Sequence, residues 1–363
     1  MDFTFGAEQE ELRRAVRGWL ASHAPVDHLR AMEDDPLGTT PDQWSALVDL
    51  GWTSLLVPDA CGGGGAGLVD VVPVLEEVGR VPYPGPFTSS AVFTTIAARA
   101  LGLDDLLAGL ASGAARGTIA LDELGHGDPV SRVRTRATRK DGRWLLHGLK
   151  PVVPDGATAD WALVAARTQV GVQTFLVAPP EGEAVPAWDP FRKLARLPLD
   201  GRVGEPVGPD GDHTAIWRRI ADDCSVAVCA ELVGSMERAN DLAVAYAKDR
   251  VQFDRPIATF QVIKHKLADM LHRQELARVG THYAAWASDV DAPERERAAA
   301  MAKAYVAEAA VHVSGECIQI HGGMGFSWEC QAHLHYRKAK QADLLLGYQG
   351  WQRRRLADLV LSA

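Results

Sequence analysis

The stretch YAKDRVQFDRPIATFQ, residues 246–261, joins two long runs of helical periodicity in the C-terminal part of the chain. On both sides of it, apolar side chains recur at steps of three and four residues, which places them on one face of an α-helix. The first series is Val228, Leu232, Met236, Ala239, Leu242 and Tyr246, and the second is Met301, Tyr305, Ala309, Val313 and Cys317.

Helix-breaking residues are concentrated before this region. Eighteen of the 20 prolines and 26 of the 34 glycines precede residue 216. Because both residue types interrupt helices, the rest of the chain is predicted to form four long helices, near residues 216–250, 257–289, 293–321 and 329–361. Helices of this length with apolar faces favour a bundle.

The first hundred residues are also predicted to be helical, with interruptions. An amphipathic helix is expected over residues 8–22, a second helix over 42–50, a glycine-rich loop over 61–67 and a further helix from Leu68.

The middle of the chain has the periodicity of strands. Residues 132–138 alternate arginine with smaller side chains, and Asp141-Gly142 before Trp144 is a strong hairpin signal. Further strands are expected over residues 161–166 and 173–178. The sequence therefore predicts a mainly α protein with a central antiparallel β domain, divided into an N-terminal helical domain (1–115), a middle β domain (116–215) and a C-terminal helical bundle (216–363).

Composition excludes several classes of protein. The 363 residues are 47% apolar and 23% charged, which is ordinary for a globular chain. The net charge of −9 argues against non-specific nucleic-acid binding. No apolar run is long enough for a membrane span, and the N-terminus lacks a signal-peptide pattern, so we expect a cytoplasmic protein. The five cysteines are expected to be reduced, mostly buried thiols.

Three strings together resemble the acyl-CoA dehydrogenase family. Residues 44–58 (WSALVDLGWTSLLVP) are similar to its N-terminal domain, residues 246–261 to its R-x-x-F-x-x-x-I-x-x-x-Q signature, and residues 318–326 (IQIHGGMGF) to its Q-x-x-G-G-x-G-F signature. The resemblance implies the fold of that family, with FAD between the middle sheet and the C-terminal bundle. It also implies subunits that share each FAD, the bundle of one reaching the adenosine diphosphate half of its neighbour's flavin.

The flavin-contact positions on the bundle are retained. The resemblance assigns Arg250 to the flavin pyrophosphate across the interface, a role that suits a permanently charged, bidentate donor. The alternative for Arg250 is a solvent-exposed arginine on a helix. For the other positions the alternatives are ordinary surface or core roles, and an ordinary helix end at the paired glycines. The predicted cofactor-binding residues are Arg250, Phe253, Gln261, Gln319, Gly322 and Gly323.

The positions that would serve the chain's own flavin are replaced. Where the family has T-E-P-x-A-G-S-D, residues 122–132 read DELGHGDPVSR, and Ser131 is the one hydroxyl that could substitute in part. Where the family has K-x-W-I-T-N, residues 150–155 read KPVVPD. Val152 then stands for the tryptophan and Pro154 for the threonine, so a ring face and a hydrogen-bonding group are missing.

No catalytic base is visible, and no catalytic residue is assigned. The family glutamate of Y-E-G-T falls on Gly347 or Tyr348, and neighbouring Gln349 cannot ionise. A base on the first bundle helix would fall on Cys224, near Asp222 and Asp223, and the family's CoA-binding arginine would fall near Ser225. No metal is expected at two His/Cys groups, whose spacings match no established ligand pattern. These are Cys330, His333 and His335, and His312, Cys317 and His321.

The sequence therefore suggests a subunit of an FAD-dependent acyl-CoA dehydrogenase that is inactive alone and completes the cofactor site of a homologous catalytic partner. The resemblance extends to heteromeric α2β2 enzymes of actinobacterial steroid catabolism, in which one subunit type carries the base. Two alternatives stay open, a homo-oligomeric flavoenzyme with a displaced base (Asp222, Asp223 or Cys224) and a scaffold that binds no flavin.

Overall fold

The computed structural model describes residues 6–123 and 125–361, which form two compact units. The helical unit comprises residues 6–24, 72–83 and 226–361, and the sheet unit comprises the described residues among 25–71 and 84–225. The three-domain division at residues 115 and 215 stays a prediction. None of the helices within the described ranges combines the length and apolarity needed to cross a bilayer.

The regular elements follow one another as helices, strands and again helices. The helices are α1 (Ala7–His23), α2 (Val26–Ala31), α3 (Pro41–Asp49), α4 (Leu68–Arg80), α5 (Thr95–Leu101), α6 (Asp104–Ala111), α7 (Thr214–Asp249), α8 (Gln261–Asp289), α9 (Arg295–His321), α10 (Ala332–Leu344) and α11 (Gln349–Leu361). The strands are β1 (Gly117–Ala120), β2 (Arg136–Lys140), β3 (Arg143–His147), β4 (Leu149–Pro154), β5 (Trp161–Thr168), β6 (Gly171–Val177), β7 (Glu183–Val185), β8 (Leu194–Pro198), β9 (Arg202–Val207), β10 (Val251–Gln252) and β11 (Arg255–Pro256).

A mainly α fold with a central β region is confirmed, but the prediction of a single helix over residues 329–361 is wrong. That segment divides into α10 and α11. Between them Leu346 and Gly347 have φ values of 59° and 96°, in the left-handed region that an α-helix cannot contain.

The helical unit is held by a close approach of α4 to α7. A Cβ at Gly79 would lie 1.9 Å from the carbonyl oxygen of Glu231, and a Cβ at Gly234 would lie 1.7 Å from that of Glu76. Both contacts are with backbone, which cannot rotate away, so each helix needs a glycine where it meets the other.

Buried acids join the same region to α1 and α8. Glu77 is 1% exposed and accepts hydrogen bonds from Arg13 (3.0 Å) and Arg17 (2.7 Å). Glu76 is fully buried and lies 3.3 Å from Arg13 and 3.6 Å from Arg278. Each buried carboxylate thus faces more than one guanidinium, the arrangement that buried charges require.

The sheet unit contains two sheets. In the larger, β2-β3, β3-β9, β9-β6 and β6-β5 pair antiparallel, and one parallel pair between β5 and β2 closes the ring, with β1 parallel beside β5. The β2-β3 hairpin turns at Asp141 (φ 51°) and Gly142 (φ 78°), as the Asp-Gly signal predicts. The smaller sheet has the order β4-β8-β7.

The strand expected over residues 132–138 begins only at Arg136. The predicted alternation is present, since Val133, Thr135 and Ala137 are buried between more exposed arginines. The pairing starts late because the backbone N–H groups of Arg134 and Thr135 donate to the Glu123 carboxylate, at 2.7 and 3.0 Å, instead of to a neighbouring strand. A side-chain acceptor has replaced the ladder there.

Candidate cofactor site

Arg250 lies just beyond α7 on a short connection to α8. Its N–H donates to Tyr246 O (2.9 Å) and its carbonyl accepts from Ile257 N (2.8 Å), which closes the small β10-β11 hairpin. The Arg250 side chain is exposed and has no hydrogen-bond or ion-pair partner among the described residues. A guanidinium in this state remains able to bind an anion from outside this chain.

Phe253 and Gln261 lie on the same connection. Phe253 is 86% exposed, its φ is 53°, and its ring meets that of Phe260 edge to face at a centroid distance of 6.1 Å. The Arg255 guanidinium lies over the other aromatic ring, 4.3 Å from the centroid of Phe260. Gln261 is the exposed first residue of α8. The connection therefore presents a cation, an aromatic ring and an amide on its surface.

The end of α9 presents bare backbone. Gly322 has a φ of 59°, and a Cβ at Gly325 would lie 2.6 Å from Ile318 O, so both positions suit glycine for reasons internal to the chain. Gly323 differs, because its φ is not positive and a Cβ there would meet nothing within 4 Å. Gln319, one turn earlier, is exposed. The chain's own packing thus leaves open space beside Gly323.

Two features of the helical unit lie beside the segments that carry the predicted residues. The Tyr246 and His321 rings stack at 4.4 Å, which places the end of α7 against the end of α9. A groove of about 510 Å³ lies between the beginning of α8 and the last turns of α9. Its lining residues are Gln261, Val262, His265, Lys266, Asp269, His312 and Glu316. The ends of α7 and α9 are therefore in contact, although more than 70 residues separate Tyr246 from His321 in sequence.

The sheet-unit positions are occupied by contacts within that unit. The Ser131 hydroxyl donates to Asp128 (2.6 Å), and Arg218 donates to the same carboxylate oxygen (2.9 Å). The carbonyl of Pro154 accepts from the Thr118 hydroxyl at 2.6 Å. The hydroxyl that could substitute for a missing flavin contact is therefore already bonded to a neighbouring carboxylate.

Among the alternative bases on α7, Cys224 is poorly suited to take a proton. Cys224 is fully buried, and burial raises the pKa of its thiol well above the usual value, so the nucleophilic thiolate is disfavoured. Asp223 accepts from the Arg219 Nε at 2.9 Å, an ordinary contact between residues four apart on a helix. Asp222 is buried, with 4% of its surface exposed.

The α10–α11 junction has no room for a longer side chain at its glycine. A Cβ at Gly347 would lie 2.5 Å from the Trp351 ring, and the positive φ adds strain for any other residue. The Tyr348 hydroxyl accepts from the Arg354 Nη2 at 3.0 Å. The Gln349 side chain lies beside Asp343, with Nε2 3.3 Å from Oδ2.

Tyr348-Gln349-Gly350 can also be matched to the family's Y-E-G-T string, which would put Gln349 at the position of the base. The placement of that position on Gly347 or Tyr348 stays a prediction. Glutamine has the shape of glutamate without its charge, so this position would hold a side chain of the right size that cannot accept the proton as a carboxylate does.

The histidines that could have suggested a metal have other neighbours. His335 Nδ1 forms a hydrogen bond with the Ser235 hydroxyl (2.8 Å), and His312 Nε2 lies 2.9 Å from Asp269 Oδ2. The His321 ring stacks on that of Tyr246. Within the described ranges, no three His, Cys, Asp or Glu side chains are grouped as a metal site. All five cysteines are free thiols, three buried and two partly exposed.

Comparison with known proteins identifies the family. Residues 6–103 match the profile for the acyl-CoA dehydrogenase N-terminal domain, and residues 224–361 match that for the C-terminal domain. The acyl-CoA dehydrogenase IpdE2 of Mycolicibacterium smegmatis is 31% identical over 96% of this chain and 97% of its own length. FadE34 of Mycobacterium tuberculosis is 33% identical over 96% of this chain and 47% of its own length.

Solved structures agree with that relationship over the full length. A chain of the Tcur3481–Tcur3483 steroid ACAD G363A variant superposes with a TM-score of 0.89, at 30% identity and 99% coverage of both chains. A chain of the ChsE4–ChsE5 complex from Mycobacterium tuberculosis superposes with a TM-score of 0.90, at 28% identity and full coverage of both. Profiles, relatives and structures therefore lead to one conclusion: this chain belongs to the acyl-CoA dehydrogenase family.

Proposed function

We propose that this chain is the subunit of a heteromeric, FAD-dependent acyl-CoA dehydrogenase that completes the flavin site of a homologous catalytic partner, in an α2β2 assembly. The complex introduces an α,β double bond into a CoA thioester with a bulky acyl group, such as a sterol side chain. The partner supplies the base that removes the α-proton. This chain supplies groups that hold the cofactor, and its cytoplasmic location stays a prediction.

The exposed, unpartnered guanidinium of Arg250 is the observation that carries this proposal. Members of the family are flavoproteins, and the groups at this end of the helical unit are of the kinds that would hold a dinucleotide. Arg250 would bind pyrophosphate oxygens, Phe253 would pack on the cofactor, and Gln261 and Gln319 would donate to it. Gly322 and Gly323 would let the backbone approach it. The bound flavin would supply the acceptor for the hydride that leaves the β-carbon.

The residues of the sheet unit do not fit the isoalloxazine end of the same cofactor. Val152 offers no ring face, Pro154 has no N–H, and the Ser131 hydroxyl is already bonded to Asp128. A carboxylate base is also missing where the family has one, because Gln349 cannot ionise and burial disfavours the Cys224 thiolate. A chain that fits one half of the cofactor and not the other needs a second chain to complete the site.

The structural relatives support an assembly of unlike chains. The ChsE4–ChsE5 complex and the Tcur3481–Tcur3483 enzyme are each named for two different polypeptides, and the latter is called a steroid ACAD. Their similarity to this chain extends over essentially its whole length. The same similarity supports the choice of a steroid-type substrate for the first assays.

Expression with and without a partner tests the proposal. The chain is purified alone, and also with each full-length family member encoded beside its gene, and flavin is measured by absorbance after denaturation. We expect flavin only in a complex, together with acyl-CoA-dependent reduction of an artificial electron acceptor. Flavin and turnover in the lone chain would instead establish a homo-oligomer with a displaced base. A complex that forms without flavin would establish a scaffold.

A further inference from the structure

Asp155 is a buried carboxyl group that the proposed function does not use. It follows β4, only 5% of its surface is exposed, and its backbone N–H donates to Lys193 O at 2.9 Å. The side chain has one hydrogen-bond partner, the Ser89 hydroxyl, 2.5 Å from Oδ2. Within the described residues, Oδ1 is buried without any hydrogen bond. An ionised carboxylate would be poorly compensated here.

Ser89 belongs to the buried π-helical segment Phe87–Thr94, and its hydroxyl has two oxygen neighbours. One is Asp155 Oδ2, and the other is the carbonyl oxygen of Pro86, at 3.1 Å. A hydroxyl carries a single hydrogen and cannot donate to both. A proton on Asp155 satisfies both contacts, because the acid then donates to Ser89 Oγ while Ser89 donates to Pro86 O.

The surrounding charges do not replace that proton. No cation forms an ion pair with Asp155 within the described ranges, and the nearby ones have other contacts. Arg192 lies over the Phe93 ring, Lys193 donates to the carbonyl oxygens of Met32 and Glu33, and Arg116 is paired with Asp160. The charged groups that face Asp155 or these cations are Arg116, Arg192, Lys193, Glu33, Asp34, Asp35 and Asp160.

We propose that the Ser89–Asp155 contact is a proton-sensitive tie within the sheet unit. While Asp155 is protonated, it joins the end of β4 to the Phe87–Thr94 segment. When Asp155 loses its proton, it becomes a buried carboxylate whose one hydrogen-bond donor is the Ser89 hydroxyl. The tie then weakens, because that hydroxyl can no longer satisfy both Asp155 and Pro86 O. Because Asp155 follows Pro154 in the replaced KPVVPD string, the tie lies at the end of the strand that, in the family resemblance, would face the flavin.

The direction of the pH dependence follows from the environment of the acid. Burial raises the pKa of Asp155 to about 6, against the lowering effects of the Ser89 hydrogen bond and the nearby cations. The folded state therefore binds this proton more tightly than the unfolded chain, where the pKa is near 3.8. The stability contributed by the tie is complete below about pH 4 and is lost as the pH rises to about 6.

The test compares denaturant unfolding of the full chain and of Asp155→Asn between pH 4 and pH 7.5. Asparagine keeps the size and tolerates the φ of 51° but cannot titrate. We expect the folding constant of the variant, relative to that of the natural chain, to rise by about 100-fold across this range. A protonated-carboxyl stretch should also appear in the infrared difference between the two proteins at pH 4.5 and vanish at pH 7.5.

Asp141→Asn is the matched control, because Asp141 has the same φ of 51° in an exposed turn. Its folding constant relative to the natural chain should not change with pH in this way. If Asp155→Asn does not fold, Asp155→Ala replaces it, because that variant also removes the titrating group. Its folding constant relative to that of the natural chain must then show the same rise with pH. The proposal is overturned if the ratio of the two folding constants does not change with pH, or if the infrared difference at pH 4.5 lacks the protonated-carboxyl band.

Discussion

The end of the helical unit around Arg250 and the strand end around Pro154 differ in what their polar groups bind. At the first, a guanidinium, two amides and a bare glycine face outward, and Arg250 has no partner in the described parts of the chain. At the second, Ser131 is bonded to Asp128, Thr118 to Pro154 O, and Ser89 to Asp155. One region is left open for an outside group, and the other is closed on itself.

This contrast indicates where selection on binding would act. Isolated polar contacts within a folded unit contribute about 1 kcal/mol each and serve the unit itself. An exposed arginine without a partner contributes little to the stability of its own chain, so its value would come from a ligand or a second protein. In the sheet unit, by contrast, the hydroxyls of Ser131, Thr118 and Ser89 bond to acceptors within the unit.

The largest effect is expected from glycines that the helical unit itself requires. Gly234→Ala would put a Cβ 1.7 Å from Glu76 O, and neither helix backbone can move away cheaply. We expect a loss of about 3 kcal/mol or more in the free energy of unfolding, measured in denaturant. Gly323→Ala is the matched control, because its Cβ meets nothing within 4 Å. Equal destabilisation by the two substitutions would contradict the distinction between closed and open glycines.

A smaller, functional effect is expected at Arg250. Arg250→Ala removes the cation proposed to bind the flavin pyrophosphate, and a hydrogen bond to a charged group contributes about 1.5–3 kcal/mol. The affinity of the complex for FAD should therefore fall by about 10- to 100-fold, with the unfolding midpoint of the lone chain unchanged. The affinity is measured by titrating FAD into the complex after its flavin has been removed.

Arg139→Ala supplies the control from the other region. Arg139 is an exposed arginine on the β2-β3 hairpin of the sheet unit, so its removal tests whether any surface cation supports flavin binding. Its FAD affinity should equal that of the natural complex. If Arg139→Ala weakened FAD binding as much as Arg250→Ala, the assignment of Arg250 would be lost.

Local signals predicted most of the fold, and the two failures have different causes. The amphipathic pattern of α1, the Asp-Gly turn and the periodicities of α7 and α9 depend on neighbours a few residues away, and the structure confirms those elements. The break between α10 and α11 could not be read from periodicity, because it depends on left-handed backbone at Leu346 and Gly347. The late start of β2 depends on Glu123, eleven residues before Arg134.

The two signature strings supply the six cofactor positions, which stay a prediction. The sequence does not indicate that the ends of α7 and α9 lie together, because that contact depends on the Tyr246–His321 stack. The sequence also does not indicate that the Trp351 ring fills the space beside Gly347, because this contact depends on the folded positions of the two residues.

The smallest effect is expected from restoring a carboxylate to the α10–α11 junction. Gly347→Glu is a poor choice because Trp351 occupies the space, so Tyr348→Glu and Gln349→Glu are the variants to make. Neither should give the lone chain measurable acyl-CoA turnover, because Val152 and Pro154 still leave the isoalloxazine without its contacts. In Gln349→Glu the new carboxylate would also lie beside Asp343, which favours a shared proton over a free base. Dye reduction by either lone variant would show that the sheet unit can seat a flavin after all, and the contrast between the two regions would then fail.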